Sequence, residues 1–135
     1  MTLERMKQRG HEFWKAFNAG DTNGTLESVS DDVRFTMKDT TPVFGTKQGI
    51  NGMRAHLDLF VGLVEVGAQM RVEELVAEDQ TVLCLSSGLM QARTSASYNN
   101  CYAFVFRFRD YKVISVTEFL DTALVEPTLF ARSIR

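Results

Sequence analysis

The chain has 135 residues, of which 44% are apolar and 24% charged, with 15 Lys+Arg against 17 Asp+Glu. That length predicts one domain over 1–135 with a single core, and the composition is that of an ordered chain rather than a disordered one. A net charge of -2 gives no broad electrostatic footprint for nucleic acid or an anionic membrane. The longest apolar stretch, Leu59 to Val66, is interrupted by Gly62 and Glu65 and is too short to span a bilayer. The start carries Glu4 and no long apolar run, so it does not read as a signal peptide. Two cysteines, Cys84 and Cys101, make neither a disulfide framework nor a metal cluster. The expectation is a cytoplasmic domain, with both thiols buried and inert, no metal and no organic cofactor.

Leu3, Met6, Gly10, Phe13, Trp14 and Phe17 recur at spacings of three and four, which predicts a helix over 3–18. Gly20 is placed to take the left-handed C-terminal conformation and Asp21 to cap a short helix over about 22–29. Val33 to Met37 alternates apolar and polar, a half-buried strand. Lys38 to Pro42 reads as a loop, with Asp39 as a turn former or a group at a pocket mouth. Gly45-Thr46 opens a second long helix, with Thr46 as its cap and Ile50, Met53, Leu57, Phe60 and Val64 as its stripe.

From residue 68 the period becomes two. Strands are predicted over 68–77, 81–91, 97–109 and 112–121, with Glu73-Glu74 as a bulge and tight turns such as Asp110-Tyr111 making an antiparallel meander. The tail from Thr122, which contains Pro127, lids or links. Helices segregated from an antiparallel sheet define an α+β fold. A strongly curved sheet around a long helix leaves a conical pocket open at one end.

The third long strand presents Tyr98, Asn100, Tyr102, Phe104 and Phe106 on one face and Cys101, Ala103, Val105 and Arg107 on the other. The first face, with its aromatic rings and polar tips, suits a flat apolar ligand, with Asn100 and Tyr102 orienting it. The second suits a sheet-on-sheet contact in a homodimer. Trp14, Phe17, Phe35, Met37, Met53 and Phe60 complete the expected ligand-binding wall. The competing reading is a filled core. His56 lies beside Met53 and Phe60 and is a second acid/base candidate, against the plainer reading of a partly exposed helix residue.

Phe13-Trp14, Gly20-Asp21, Ser30 to Phe35, Gly45 with Gly49-Ile50, Glu78 to Val82, Asn100 to Phe108, Lys112 to Ile114 and Glu118 to Thr122 follow one another in an order that resembles the NTF2-like superfamily, and within it the SnoaL-like branch of small polyketide cyclases. The resemblance covers about residues 5–125. It implies a cone-shaped α+β barrel (NTF2-like, cystatin-like), in which a strongly curved antiparallel or mixed sheet wraps around three helices. It does not by itself fix a reaction.

Alignment with ketosteroid isomerase puts its catalytic tyrosine, aspartate base and second acid at Phe13, Met37 and Phe104, so that polar set is absent. The Asp-Arg-Asp set of limonene-type epoxide hydrolase is missing as well, since the second long strand reads Leu83 to Leu89 with no carboxylate or guanidinium. The SnoaL-like cyclases place an acid/base aspartate near the end of the last strand, where Asp121 matches. Thr117, Phe119 and Asp121 share one strand face. With Phe119 inside the cone, Asp121 would be inside too, desolvated and able to shuttle protons near neutral pH. The plainer reading is that Asp121 caps the tail.

The resemblance therefore implies a cofactor-independent acid/base isomerase, cyclase or dehydratase acting on an apolar, carbonyl-bearing molecule of polyketide, steroid or terpenoid type. Asp121 is its expected shuttle and His56 its second catalytic candidate. The alternatives are a non-catalytic binder of an apolar ligand and a dimeric interaction scaffold.

Overall fold

The computed structural model describes residues 2–38 and 45–130. Asp39 and the rest of its loop to Pro42 fall outside them. The first helix, α1 (Leu3–Asn18), starts at Thr2, whose hydroxyl accepts from the Arg5 N–H at 3.1 Å. It ends where Gly20, at φ +73°, donates its N–H to the Phe17 carbonyl and Asp21 donates to Ala16. Asp21 then caps α2 (Thr22–Leu26) by accepting from the Gly24 N–H at 2.8 Å. α1 buries Met6, Gly10, Phe13 and Trp14 against the sheet. Gly10 brings the helix close enough that a Cβ there would meet Leu75 and Val82 side chains at 3.7–3.9 Å.

β1 (Val29–Lys38) is followed by a three-residue strand, β2 (Thr46–Gln48), which pairs with it antiparallel. The residues expected to open the long helix are therefore extended. That helix, α3 (Gly49–Leu63), begins only at Gly49, whose φ of +79° lets the chain turn from strand into helix. Thr46 is not its cap.

β3 (Gln69–Glu78), β4 (Thr81–Leu89), β5 (Cys101–Arg109) and β6 (Lys112–Leu120) follow as an antiparallel meander. The β3 register shifts between Val72 and Glu74, the bulge that the two adjacent glutamates predicted. β6 returns to pair in parallel with β1, so the sheet is mixed, in the order β2-β1-β6-β5-β4-β3. It does not close. Among the described residues β2 and β3 are its outermost strands, and the expected barrel is an open, six-stranded sheet. A 3-10 turn (Thr122–Leu124) and a short helix, α4 (Val125–Leu129), follow.

The core lies between α1, α3 and the concave sheet face, where Phe13, Trp14, Phe35, Phe104 and Phe106 are all buried. Each buried aromatic contributes roughly 1.5–3 kcal/mol through area removed from water, and the T-shaped Phe13–Trp14 pair, at 4.8 Å between centroids, adds directional packing. Among the described residues no helix is long and apolar enough to cross a membrane. No group of three or more His, Cys, Asp or Glu side chains there could hold a metal ion.

Candidate functional site

A cavity of about 50 Å³ lies between α1, α3 and the sheet. Trp14, Phe17, Phe35, Met37, Met53, His56, Phe60, Tyr102 and Phe104 line it. Phe13 joins Met37 and Phe104 on the wall, so the three positions where the isomerase set would sit do face the cavity, with apolar side chains. Such a volume holds a few waters. A ring-sized ligand requires side chains to move. Phe17 and Phe60, 6.1 Å apart between centroids, also border an outer apolar groove of about 210 Å³ that runs past Val64 and Ala68 to Arg93.

Three expected site residues are not on this wall. Phe119 is 46% exposed on the convex face of the sheet. Asp121 is exposed as well, and its carboxylate accepts from the Ala123 N–H at 3.1 Å, capping the 3-10 turn. Asn100 is 1% exposed but lies behind the wall. The thiols also divide. Cys84 is buried, and burial raises its thiol, whereas Cys101 is exposed on the convex face.

The cause is a bulge in the last hairpin. Arg109 pairs with Lys112 across the Asp110–Tyr111 turn, both of whose residues have positive φ. Phe108 pairs with Val113, but Arg107 pairs with Ser115, which leaves Ile114 as an extra residue. An unbulged hairpin would set Thr117 opposite Phe104 and turn Thr117, Phe119 and Asp121 inward. The inserted residue reverses that parity. Glu118 therefore sits opposite inward-facing Phe104 and beside Met37 of β1.

Glu118 is 6% exposed, lines the cavity and makes no hydrogen bond among the described residues. Burial pushes its pKa up to about 8. His56, whose ring lies 4.4 Å from that of Phe35, is displaced the other way. Burial, and secondarily the charge of Lys47, pushes its pKa down to about 4. At neutral pH the cavity thus holds a protonated carboxyl and a neutral imidazole. Tyr102 and Tyr98 complete the polar set, and burial raises the pKa of both phenols. The sequence places Tyr98 on the ligand-facing side of its strand without giving it a role, and it does not single out Glu118.

The family model for the SnoaL-like domain matches residues 11–116, and the chain belongs to that family. Among solved structures, an NTF2-like protein of unknown function from Burkholderia pseudomallei superposes with a TM-score of 0.84 at 21% identity, over 96% of this chain and 98% of that one. TerC, crystallised with polyporic acid, superposes at 0.83 with 16% identity, over 93% and 98%. A SnoaL-like polyketide cyclase from Jannaschia sp. gives 0.79 at 15% identity, over 97% and 95%. At these identities the likeness concerns the fold. No curated protein matches the chain.

Proposed function

We propose that the protein is a cofactor-independent acid/base enzyme, an isomerase, cyclase or dehydratase, acting on an apolar carbonyl-bearing small molecule in this cavity. The observation that carries the reading is Glu118, a carboxyl that faces an apolar cavity without a hydrogen bond among the described residues, its pKa pushed up by burial to about 8. A group titrating that close to neutrality both takes and returns a proton at useful rates.

In this reading the Glu118 carboxylate removes a proton from the carbon next to the carbonyl. The C–H electron pair moves into a C=C bond, and the carbonyl π pair moves onto oxygen. The Tyr102 hydroxyl stabilises that oxygen, and the now neutral Glu118 returns the proton to the same or a conjugated carbon. Neutral His56 supports a second polar group of the substrate without an ionic charge. Roughly a tenth of Glu118 is ionised at pH 7, so kcat/KM rises with pH and levels off above about 8. The polyporic acid complex of TerC and the polyketide cyclase from Jannaschia support a small-ligand role for this fold.

The test is exchange of the α-protons of 2-tetralone in D2O. The expected result is protein-dependent exchange that Glu118→Gln abolishes. Exchange that survives Glu118→Gln removes this assignment. The apolar side chains of Phe13, Met37 and Phe104 on the wall favour the second reading, a non-catalytic binder, for which 2-tetralone raises the melting temperature without exchange.

We also propose a homodimer through the convex sheet face, where Val76, Leu85, Leu89 and Phe119 leave an apolar surface exposed across β3, β4 and β6.

A further inference from the structure

Asn100 has a complete set of hydrogen bonds. Its Nδ2 donates to the Asp121 carbonyl at 2.9 Å and to the Tyr98 hydroxyl oxygen at 3.0 Å. Its Oδ1 accepts from the backbone N–H groups of Asp121 at 3.0 Å and Cys101 at 2.8 Å. The amide thereby ties the start of β5 to the end of β6 and has no capacity left for a ligand.

Its effect on Tyr98 is directional. A phenol oxygen that already accepts from an N–H turns its own O–H away from that donor. Tyr98 is 2% exposed and lines the cavity, so the direction left to its proton is inward. Tyr102 is also on the cavity wall, with its hydroxyl buried and without a hydrogen bond of ordinary length among the described residues. The two hydroxyls are also close enough for a long hydrogen-bonding contact with each other, and Glu118 acts on both electrostatically. A buried phenol with no partner forgoes a hydrogen bond that water would otherwise supply. The Tyr98–Tyr102 contact engages at most one of the two O–H groups, so the wall keeps a donor for which the described residues supply no acceptor within ordinary hydrogen-bond distance.

We propose that Tyr98 and Tyr102 form a two-hydroxyl cradle for the oxygen of a neutral ketone or its enolate, and that Asn100 is the positioning residue that aims the Tyr98 proton into the cavity. The ligand class follows from the wall. Its donors select an oxygen acceptor, and among the described residues no Lys or Arg lines the cavity to receive a permanently anionic carboxylate. Of ligands of one shape, the cradle therefore favours the ketone over the carboxylic acid. This inference rests on reading the cavity as the ligand site, but it does not require catalysis.

The test uses the whole protein with three probes of similar size: 2-tetralone, the hydrocarbon tetralin, and 2-naphthoic acid. Affinity is read by calorimetry, and the C=O stretch of carbonyl-labelled 2-tetralone by difference infrared spectroscopy. The ketone is expected to bind more tightly than either analogue, with its C=O band shifted to lower frequency than in hydrocarbon solvent. Tyr98→Phe and Tyr102→Phe should each weaken ketone binding by roughly five- to tenfold, leave tetralin within about twofold, and move the band back. Asn100→Asp retains the side-chain shape and removes the donor to Tyr98, so it should move the band while Tyr98 remains. Should Asn100→Asp not fold, the two phenylalanine variants carry the test alone. A bound ketone with an unshifted band, or a band indifferent to both phenylalanine variants, overturns the cradle and leaves the cavity reading standing. Failure of the ketone to bind overturns both. A shifted band without α-proton exchange sustains the cradle and removes only the enzymatic reading.

Discussion

Replacing Glu118 with glutamine separates the charge of the buried carboxyl from its shape. In the wild type the folded-state pKa is about 8 against a reference of 4.5, so the native state holds this proton more tightly than the unfolded chain does. The associated stability is fully present below pH 4.5 and is lost as pH rises through 8. Each pH unit in that window is worth about 1.4 kcal/mol, so the full loss is roughly 5 kcal/mol, a large part of a typical domain's stability. His56 acts oppositely. Its pKa falls from 6.5 to about 4, so its contribution is present above pH 6.5 and is lost as pH falls through 4. The two slopes cancel between pH 4.5 and 6.5, and above 6.5 Glu118 acts alone. Urea denaturation of the wild type between pH 6.5 and 8 should therefore lose about 2 kcal/mol, while Glu118→Gln stays flat. Parallel curves for the two proteins over that range would refute the assignment of a buried, protonated Glu118.

Asp121→Asn should leave α-proton exchange unchanged and cost at most about 1 kcal/mol in urea denaturation, because its carboxylate caps a turn outside the cavity. The His56 ring should remain neutral to well below pH 6 and titrate near 4, read from its Cε1–H shift by NMR. Phe119→Glu should convert a dimer to a monomer in native mass spectrometry with little change in monomer fold, since its side chain is half exposed on the convex face. Phe104→Ala should destabilise the protein by roughly 3–5 kcal/mol in urea denaturation, because that ring packs on Trp14 at 4.7 Å and on Tyr102 at 5.3 Å.

Helix positions were legible because helical periodicity is local. The stripe of α1 and the Gly20-Asp21 exit read directly into structure. The inward face of β5 was legible for the same reason, since alternation from Tyr102 to Phe108 is unbroken. The last strand misled because both faces of the sheet carry apolar residues. Putting Phe119 inside and Glu118 outside satisfies hydrophobic patterning, and only the unpaired Ile114 reverses it. The available signal was Val113 and Val116, three residues apart, which one strand face cannot hold without a bulge. The short strand at Thr46–Gln48 was hidden for a different reason. Its pairing with Arg34, Phe35 and Thr36 is tertiary, and three residues have no period of their own. Asn100 was identified as a polar residue of the site, but its role depends on the Asp121 backbone 21 residues away.

The most direct measurement is carbon NMR of protein labelled at glutamate Cδ, with Glu118 assigned as the resonance missing in Glu118→Gln, titrated with and without 2-tetralone. A Glu118 signal that titrates near pH 8 and moves when the ketone binds is what the account predicts. A signal that titrates near 4.5, or that is indifferent to bound ketone, would contradict it.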